Sequence, residues 1–597
     1  MITVRRIEFK AYGGTGTLVG RCFLALLALN ACDVAKDECK NDRCVIYRLD
    51  YDDQPPVGNM PNDATYFKKC IDDYIKLHNR GLHFLAPIMV EPSTIKLGDI
   101  RDCGYPDESI FSLKSLFCGK DRKDEIEELL SAAFTSGTPE SELELSNKYG
   151  CYGDLAVNGF ISERLIDTDA FAKKGEYTDV CNNPQDAIIF YAGSTDGGTA
   201  NTMIDKDIRS LLHALVKSGK SVERDRVFKL YGLRTTPYSK FELQGNPADV
   251  AIVSSILRDK FEMSKGVLEN ILSQNALAKN DSIETYSYYD LNDGETKYWL
   301  DGLFLAGSET LDVTAWEALK DNQFHPTHFT EFALAMQAMD AIANRLPQLG
   351  QGVPCVYGYN DGGSHQTGPV TLQTFFQNSN VEYDYTVFTN DGITANGAVG
   401  LDKYVRAFIL TLVSIKGQMI SDFRNFNNAP PLYMEHIFNK APGAMPGVCP
   451  LIADELERFL DEAKFIVMTM YDSMQYSKYG ATVSPIRLME EEIRYLYRED
   501  TLKNQITIPG GCGLSLNDDS TPPGWRVVEL QANPYFSELD GMHEIHYTPA
   551  HGILAAHNQL RHERLYLNIG GTSDADSAYK IANNMIQRLF ETYLAQM

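Results

Sequence analysis

The segment DAIIFYAGSTDGGTANTMIDKDIRSLL, Asp186 to Leu212, runs from an apolar stretch through glycines and hydroxyls straight into a helical repeat. AIIFYA, Ala187 to Ala192, has no polar alternation. Only a strand covered on both faces needs such a run. Beyond the glycines, Ile204, Ile208, Leu211, Leu212, Leu215 and Val216 recur at helical spacing. That stripe suits a helix lying on a sheet. A buried strand joined directly to such a helix by Gly193-Ser194-Thr195-Asp196-Gly197-Gly198-Thr199 is one βα unit of a parallel sheet.

A second unit stands near the amino end. VRRIEFKA places Val4, Ile7, Phe9 and Ala11 on a partly buried strand. Gly13-Gly14-Thr15-Gly16 follow, and an apolar helix is expected from about Leu18. CVIYRLDYDD, Cys44 to Asp53, reads as a strand ending in acids. RVFKLYGL (Arg226 to Leu233) and ETYSYYDL (Glu284 to Leu291) read as further strands. The charged stretch that runs to about Lys148 reads as less regular. Strands alternating with helices predict a doubly wound α/β domain.

At 597 residues the chain is too long for one hydrophobic core. PTHFTEFALAMQAMDAIANR, Pro326 to Arg345, predicts a long helix, and Gly350, Gly352 and Pro354 break the pattern after it. The expected division is therefore 1–345 for the α/β domain with its connecting helix, and 346–597 for a second, α+β domain. Helices are expected there near Leu401–Ile415, Ile452–Met474 and Ser577–Gln596.

Charge narrows the partners. The formal net charge is −26, and no Lys/Arg run stands out. That argues against nucleic acid and anionic membranes as partners, since both need a basic face. The twelve cysteines contain no CxxC pair, and Cys39 and Cys44 have no second pair to complete a zinc site. They read as reduced thiols of a cytoplasmic protein. CFLALLALNACDVA, Cys22 to Ala35, is too short to span a bilayer and holds Asn30, so it reads as a buried helix.

The two glycine corners are the candidate site. Each follows a strand and opens a helix, where an open α/β sheet presents its ligand crevice. A helix start offers unpaired N–H groups and a positive dipole end, which suit phosphate. Gly13, Gly14, Gly16, Gly193, Gly197 and Gly198 allow close backbone approach. Thr15, Ser194, Thr195 and Thr199 add hydroxyls. Tight strand–helix connections with no ligand are the plainer alternative, and two such corners weaken it. The P-loop sequence is absent, and Gly14-x-Gly16-x-x-x-Gly20 is one residue longer than the dinucleotide fingerprint. A dinucleotide-dependent enzyme of Rossmann type stays open, although it does not require the second corner.

Four stretches taken in order resemble the tubulin superfamily, in particular prokaryotic tubulin-like proteins. EFKAYGGTGTLVGRCFLALLAL is similar to the family's first strand, glycine loop and helix. CVIYRLDYD is similar to its second strand. YGCYGDLAVNGFISERL, Tyr149 to Leu165, is similar to the segment before the signature strand. AIIFYAGSTDGGTANTMIDKDIRSLL is similar to the signature strand and its phosphate-gripping loop. NQFHPTHFTEFALAMQAMDA, Asn322 to Ala341, resembles the helix that joins the family's two domains. The resemblance spans about the first 345 residues. It departs at Ala200-Asn201, where the family's signature carries a further glycine.

The resemblance implies a tubulin-like fold that binds GTP or another purine nucleotide. It implies GTPase activity and head-to-tail assembly into a filament as well. Asn322, at the start of the connecting helix, is then the candidate for the base, since an amide reads a purine edge with a donor and an acceptor. The family's catalytic acid comes from a neighbouring subunit. No matching motif follows the long helix, and the acids in NDGITANGAVGLDKY, Asn390 to Tyr404, are the weak candidates. A scaffold that keeps the fold without the nucleotide is the third reading.

Asp50 and Asp52 are candidates for Mg²⁺ beside the phosphates, with a solvated strand end as the alternative. His325, His328 and Glu331 read as polar residues at a helix start rather than metal ligands. His543, His546, His551, His557 and His562 match no standard metal spacing.

Overall fold

The computed structural model describes residues 6–30, 42–50, 63–82, 88–92, 111–112, 144–145, 187–195, 197–217, 228–235, 239–241, 291–292, 295–296, 300–306, 312–314, 327, 329–344, 346, 355–357, 370–371, 407–408, 411–412, 415–416, 420–424, 445–475, 506–508, 512–514 and 575–596. The amino-terminal part builds β1 (Arg6–Tyr12), α1 (Gly13–Ala28), β2 (Arg43–Leu49), α2 (Asp63–Asn79) and β3 (Met89–Pro92). The segment from Ala187 forms β4 (Ala187–Ser194) and α3 (Gly198–Lys217), and β5 (Lys229–Thr235) follows. Next come β6 (Gly302–Ala306), α4 (Phe329–Ile342), β7 (Cys355–Tyr357) and β8 (Val370–Thr371). α5 (Ile420–Arg424), α6 (Met445–Gln475) and α7 (Ala575–Gln596) complete the set used below.

The main sheet has eight strands in the order β8-β7-β6-β5-β4-β1-β2-β3. Neighbours from β3 through to β7 are parallel, and β8 is antiparallel on β7. The chain steps one way from β1 to β3 and then returns to the other side of β1 with β4. The α/β expectation holds, with a largely parallel sheet.

Both sides of this sheet are covered. Phe9 of β1 stacks on Phe23 of α1 at 4.5 Å between ring centroids. Phe190, Tyr231 and Phe304 extend that aromatic row across β4, β5 and β6. The alternate residues of β1 face the other way. Lys10 and Tyr12 meet Asp207 of α3. α1 and α3 therefore lie on opposite faces of the sheet. Right-handed crossovers require that when the strand order reverses. β1 was expected to be partly buried, yet Glu8 and Lys10 are nearly as buried as Phe9. Their charges are matched inside, which makes the burial tolerable.

α1 begins five residues earlier than the apolar pattern suggested, because Gly13 to Thr17 are already helical. It packs against the sheet on one side and against α2, α4 and α6 on others, so it is buried nearly all round. It ends at Leu29, with Asn30 at φ +51°. Asn tolerates that left-handed geometry, and there the helical part of the expected Cys22–Ala35 run stops.

The charged stretch read as less regular holds α2 and β3. α2 buries Tyr66, Phe67, Cys70, Ile71, Tyr74 and Leu77, a helical spacing that dense charge obscured. Tyr74 Oη donates to the carbonyl of Ile88 at 2.7 Å. Of the expected strand Glu284–Leu291, only Leu291 falls among the described residues, in a two-residue ladder with Glu295–Thr296.

Residues beyond 345 join the same core. β7 extends the sheet, and Ile452, Leu456, Phe459, Ile466, Ile581, Met585 and Phe590 pack in one cluster with α1 and α2. Arg80, just past α2, pairs with Glu455 and Glu462 of α6, while Asn583 of α7 donates to the Arg80 carbonyl at 2.6 Å. Among the described residues no helix is long and apolar enough to cross a membrane.

Candidate functional site

The strand order reverses between β1 and β4. In open α/β sheets the ligand crevice opens at such a point, outside the carboxyl ends of the strands. β1 ends at Tyr12 and β4 at Ser194, so both glycine corners border it.

The corners are shorter than the sequence suggested. Gly13, Gly14, Thr15 and Gly16 are not a loop before the helix but its first turn. Gly198 and Thr199 likewise open α3, while Gly193 and Ser194 finish β4. This geometry presents amides directly, because the first-turn N–H groups of a helix have no partner within it. No side chain caps α1, and neither helix carries an acid in its first turn. Among the described residues no acid in either first turn compensates the positive ends of the two dipoles.

The two corners touch. A Cβ built on Gly13 would lie 3.6 Å from Thr199 Cβ. One on Gly16 would lie 2.5 Å from the carbonyl oxygen of Ala192, inside any tolerable contact. One on Gly193 would meet Ala200 Cβ at 2.4 Å and the Tyr12 oxygen at 3.2 Å. Gly16 therefore lets α1 close on β4, and Gly193 lets α3 close on the same strand. Gly14 differs, with nothing within 4 Å of its missing Cβ.

Exposure sorts the predicted residues into two layers. Gly14 is exposed, and Gly13, Thr15, Gly197 and Thr199 are half-buried. These form the accessible lip. Gly16, Gly193, Ser194 and Thr195 are buried beneath it. Thr195 donates from both its amide and its Oγ1 to the Thr235 carbonyl, at 2.7 and 2.9 Å. Its single hydroxyl hydrogen is spent on anchoring the corner to β5.

Asn201, noted in the sequence only as a departure at the corner, and Arg234, not singled out there, complete the arrangement. Asn201 Nδ2 donates to the Thr195 carbonyl at 2.7 Å and closes the corner on itself. Its Oδ1 accepts from Arg234 Nη2, and Arg234 Nη1 reaches the Ala200 carbonyl at 3.5 Å. Arg234 is only 5% exposed. The available signal was a lone cation at the carboxyl end of an apolar strand, KLYGLRT. Asn201 thus places at the corner a side chain that holds it shut.

Under the lip, on the α3 side, the charges are matched. Lys10 Nζ donates to Asp207 at 2.7 and 3.0 Å, and Tyr12 Oη donates to the same carboxylate. Arg6 pairs with Glu8 at 2.7 Å. Lys10 also lies 5.2 Å from the centre of the Tyr191 ring.

The remaining candidates fare differently. Asp50 follows β2 and accepts from Arg48 at 3.4 Å. Asp52, Asn322, His325, His328, Asn390–Tyr404 and the histidines between 543 and 562 lie outside the described residues. Glu331 is fully buried in α4. Thr327, just before that helix, donates to the Thr469 carbonyl of α6 at 2.9 Å. Among the described residues no group of three or more His, Cys, Asp or Glu would hold a metal.

Comparisons with protein-family models, with curated proteins and with solved structures find no match to this chain.

Proposed function

We propose that this chain is a tubulin-like protein that binds a purine nucleotide, GTP foremost, by its phosphates at the junction of β1 and β4. The observation that carries this reading is the contact between two helix starts. Gly13 and Thr199 face each other across the strand-order reversal, with Gly14 open beside them. Two helix starts side by side favour a polyanion over a neutral ligand.

In this reading the chain's own groups do three things. The first-turn amides of α1 and α3 bind the phosphates. Thr15 and Thr199, on the lip, add hydroxyl donors. The buried floor of Gly193, Ser194 and Thr195 holds the corner rigid, so binding does not have to order it. Asn322 is the proposed reader of the base. Mg²⁺ would supply charge neutralisation between phosphates. Asp50 alone among the described residues is a proposed carboxylate for it, and Arg48 already engages that carboxylate.

GTP hydrolysis and head-to-tail polymerisation belong to the same proposal. A heterologous interface that does not close generates a filament. Sedimentation with GTP and negative-stain microscopy test it, and protein that stays monomeric under both overturns the filament part alone.

The strand order also suits a dinucleotide enzyme, because Rossmann folds share it. Against that stand the long spacing from Gly14 to Gly20 and the second corner. Mass spectrometry of ligand released from freshly purified protein separates the readings. GTP or GDP supports the proposal, and NAD(P) or FAD replaces it. A chain that carries no ligand and shows no melting shift with any nucleotide is the scaffold of the third reading.

A further inference from the structure

We infer that Arg234 is a phosphate ligand of this site, and that the ligand it serves is a polyphosphate rather than a nucleoside or a monoester. The inference rests on the nucleotide reading above for the base, but not for the phosphate.

Arg234 is a buried residue, 5% exposed. An arginine stays charged at any relevant pH, so burial without a counter-charge is costly. Its side-chain partners are neutral: the Ala200 carbonyl and the Asn201 side chain. Among the described residues no carboxylate lies within ion-pairing distance of it. The neighbouring buried cation, Lys10, has its own acid in Asp207. The contrast is between one cation matched by design and another left unmatched on the same side of the same sheet.

Position makes the mismatch sharper. Both partners belong to the first turns of α3, at the positive end of its dipole. A cation there is disfavoured until an anion joins it. Two of its five N–H donors are used by these partners, and the rest remain for a ligand. A planar guanidinium with donors in a fork suits phosphate oxygens. An anion at the lip of Thr199 would cancel the guanidinium, the α3 dipole and the α1 dipole together. Charge, not shape, would then rank the ligands, and each added phosphate would raise affinity.

Isothermal titration on the full chain tests this with guanosine, GMP, GDP, GTP and base-free tripolyphosphate, against wild type, Arg234→Gln and Arg234→Lys. Wild type should bind tripolyphosphate, and Arg234→Gln should weaken tripolyphosphate and GTP by about tenfold or more, the scale of a charge-assisted hydrogen bond. The loss should shrink for GMP and vanish for guanosine. Arg234→Lys, which keeps the charge but not the fork, should bind between wild type and Arg234→Gln. Affinity should fall less steeply with salt in Arg234→Gln than in wild type. A brace for the corner would weaken every ligand alike and leave the salt dependence unchanged, which overturns the inference. Unaltered tripolyphosphate and GTP binding in Arg234→Gln overturns it while the nucleotide reading stands. Arg234-dependent tripolyphosphate binding without nucleotide binding supports it and sinks the nucleotide reading. Wild type that binds no phosphate compound overturns both. Should Arg234→Gln fail to fold, Asn201→Asp sets a carboxylate against the guanidinium and should produce the same loss.

Discussion

Gly13 and Thr199 lie against each other, with 3.6 Å from the missing Cβ of one to the Cβ of the other. Gly13 opens α1 on one side of the strand-order reversal, and Thr199 sits in the first turn of α3 on the other. Their contact places two helix starts at one point. Every functional statement above depends on it.

The first prediction separates ligand approach from folding at neighbouring glycines. Gly14 faces open space, so Gly14→Val should change stability by no more than about 0.5 kcal/mol, as for an ordinary surface substitution. It should nevertheless abolish the nucleotide-induced melting shift. Gly16→Ala should cost about 2–3 kcal/mol, because its methyl would strike the Ala192 carbonyl, which cannot retreat. Urea unfolding and melts with and without GTP read both. A full nucleotide shift in Gly14→Val would show that the ligand does not pass over that lip.

The second concerns the matched pair under the site. Asp207→Asn removes the nearest negative charge from buried Lys10 and one of the two oxygens that accept from Lys10 and Tyr12. Breaking such a pair should cost about 3 kcal/mol. Asp207→Asn combined with Lys10→Met should recover much of this. An unfolding midpoint equal to wild type in the single variant would refute the pairing.

The third is a pH dependence. Burial pushes the Cys70 thiol from an ordinary 9.0 up to about 11, against the opposing pull of Arg21. Above pH 9 the unfolded chain loses this proton while the folded chain keeps it. The unfolded state then binds fewer protons, so the Cys70 contribution falls as pH rises, by about 1.4 kcal/mol per unit. It is fully present below pH 9 and lost through about pH 11. Cys70→Ala should flatten the stability profile between those limits. Parallel profiles for the two proteins would contradict it.

The fourth tests the docking of the carboxyl-terminal helices. Arg80 bridges Glu455 and Glu462 from a site that is nearly sealed. Arg80→Met should strip Glu462 of its printed partner, leave Glu455 with Arg458 alone, and cost about 3 kcal/mol. Limited proteolysis should then release α6 and α7 before the sheet is cut. Simultaneous digestion of both parts would mean that the bridge does not control docking.

Much of the scaffold was legible beforehand. The unbroken run from Ala187 to Ala192 could only be a central strand, and β4 is buried at every position. The stripe from Ile204 to Leu212 lies on the sheet as its spacing required. α2 was not seen, although Tyr66, Phe67, Cys70, Ile71, Tyr74 and Leu77 repeat correctly. Six Asp and Lys residues share that helix, and they masked its apolar face. Short strands such as β3 and β7 carry too few residues for any periodicity to show.

In the candidate site, residue type was legible and role was not. Glycine marks a place where a side chain cannot go, but not which neighbour forbids it. Only packing shows that Gly16 yields to the Ala192 carbonyl while Gly14 yields to nothing. Thr195 had the look of a ligand donor, and its hydroxyl is directed to Thr235.

Local chemistry in the chain determined that this protein has parallel βα units with glycine at their carboxyl ends, because periodicity and backbone freedom act over a few residues. Tertiary structure alone decided that the two corners meet, and that Arg234 of β5 arrives beside them. Those facts depend on strand order, and strand order is set by which distant surfaces bury one another, a sum over the whole core that no short stretch contains.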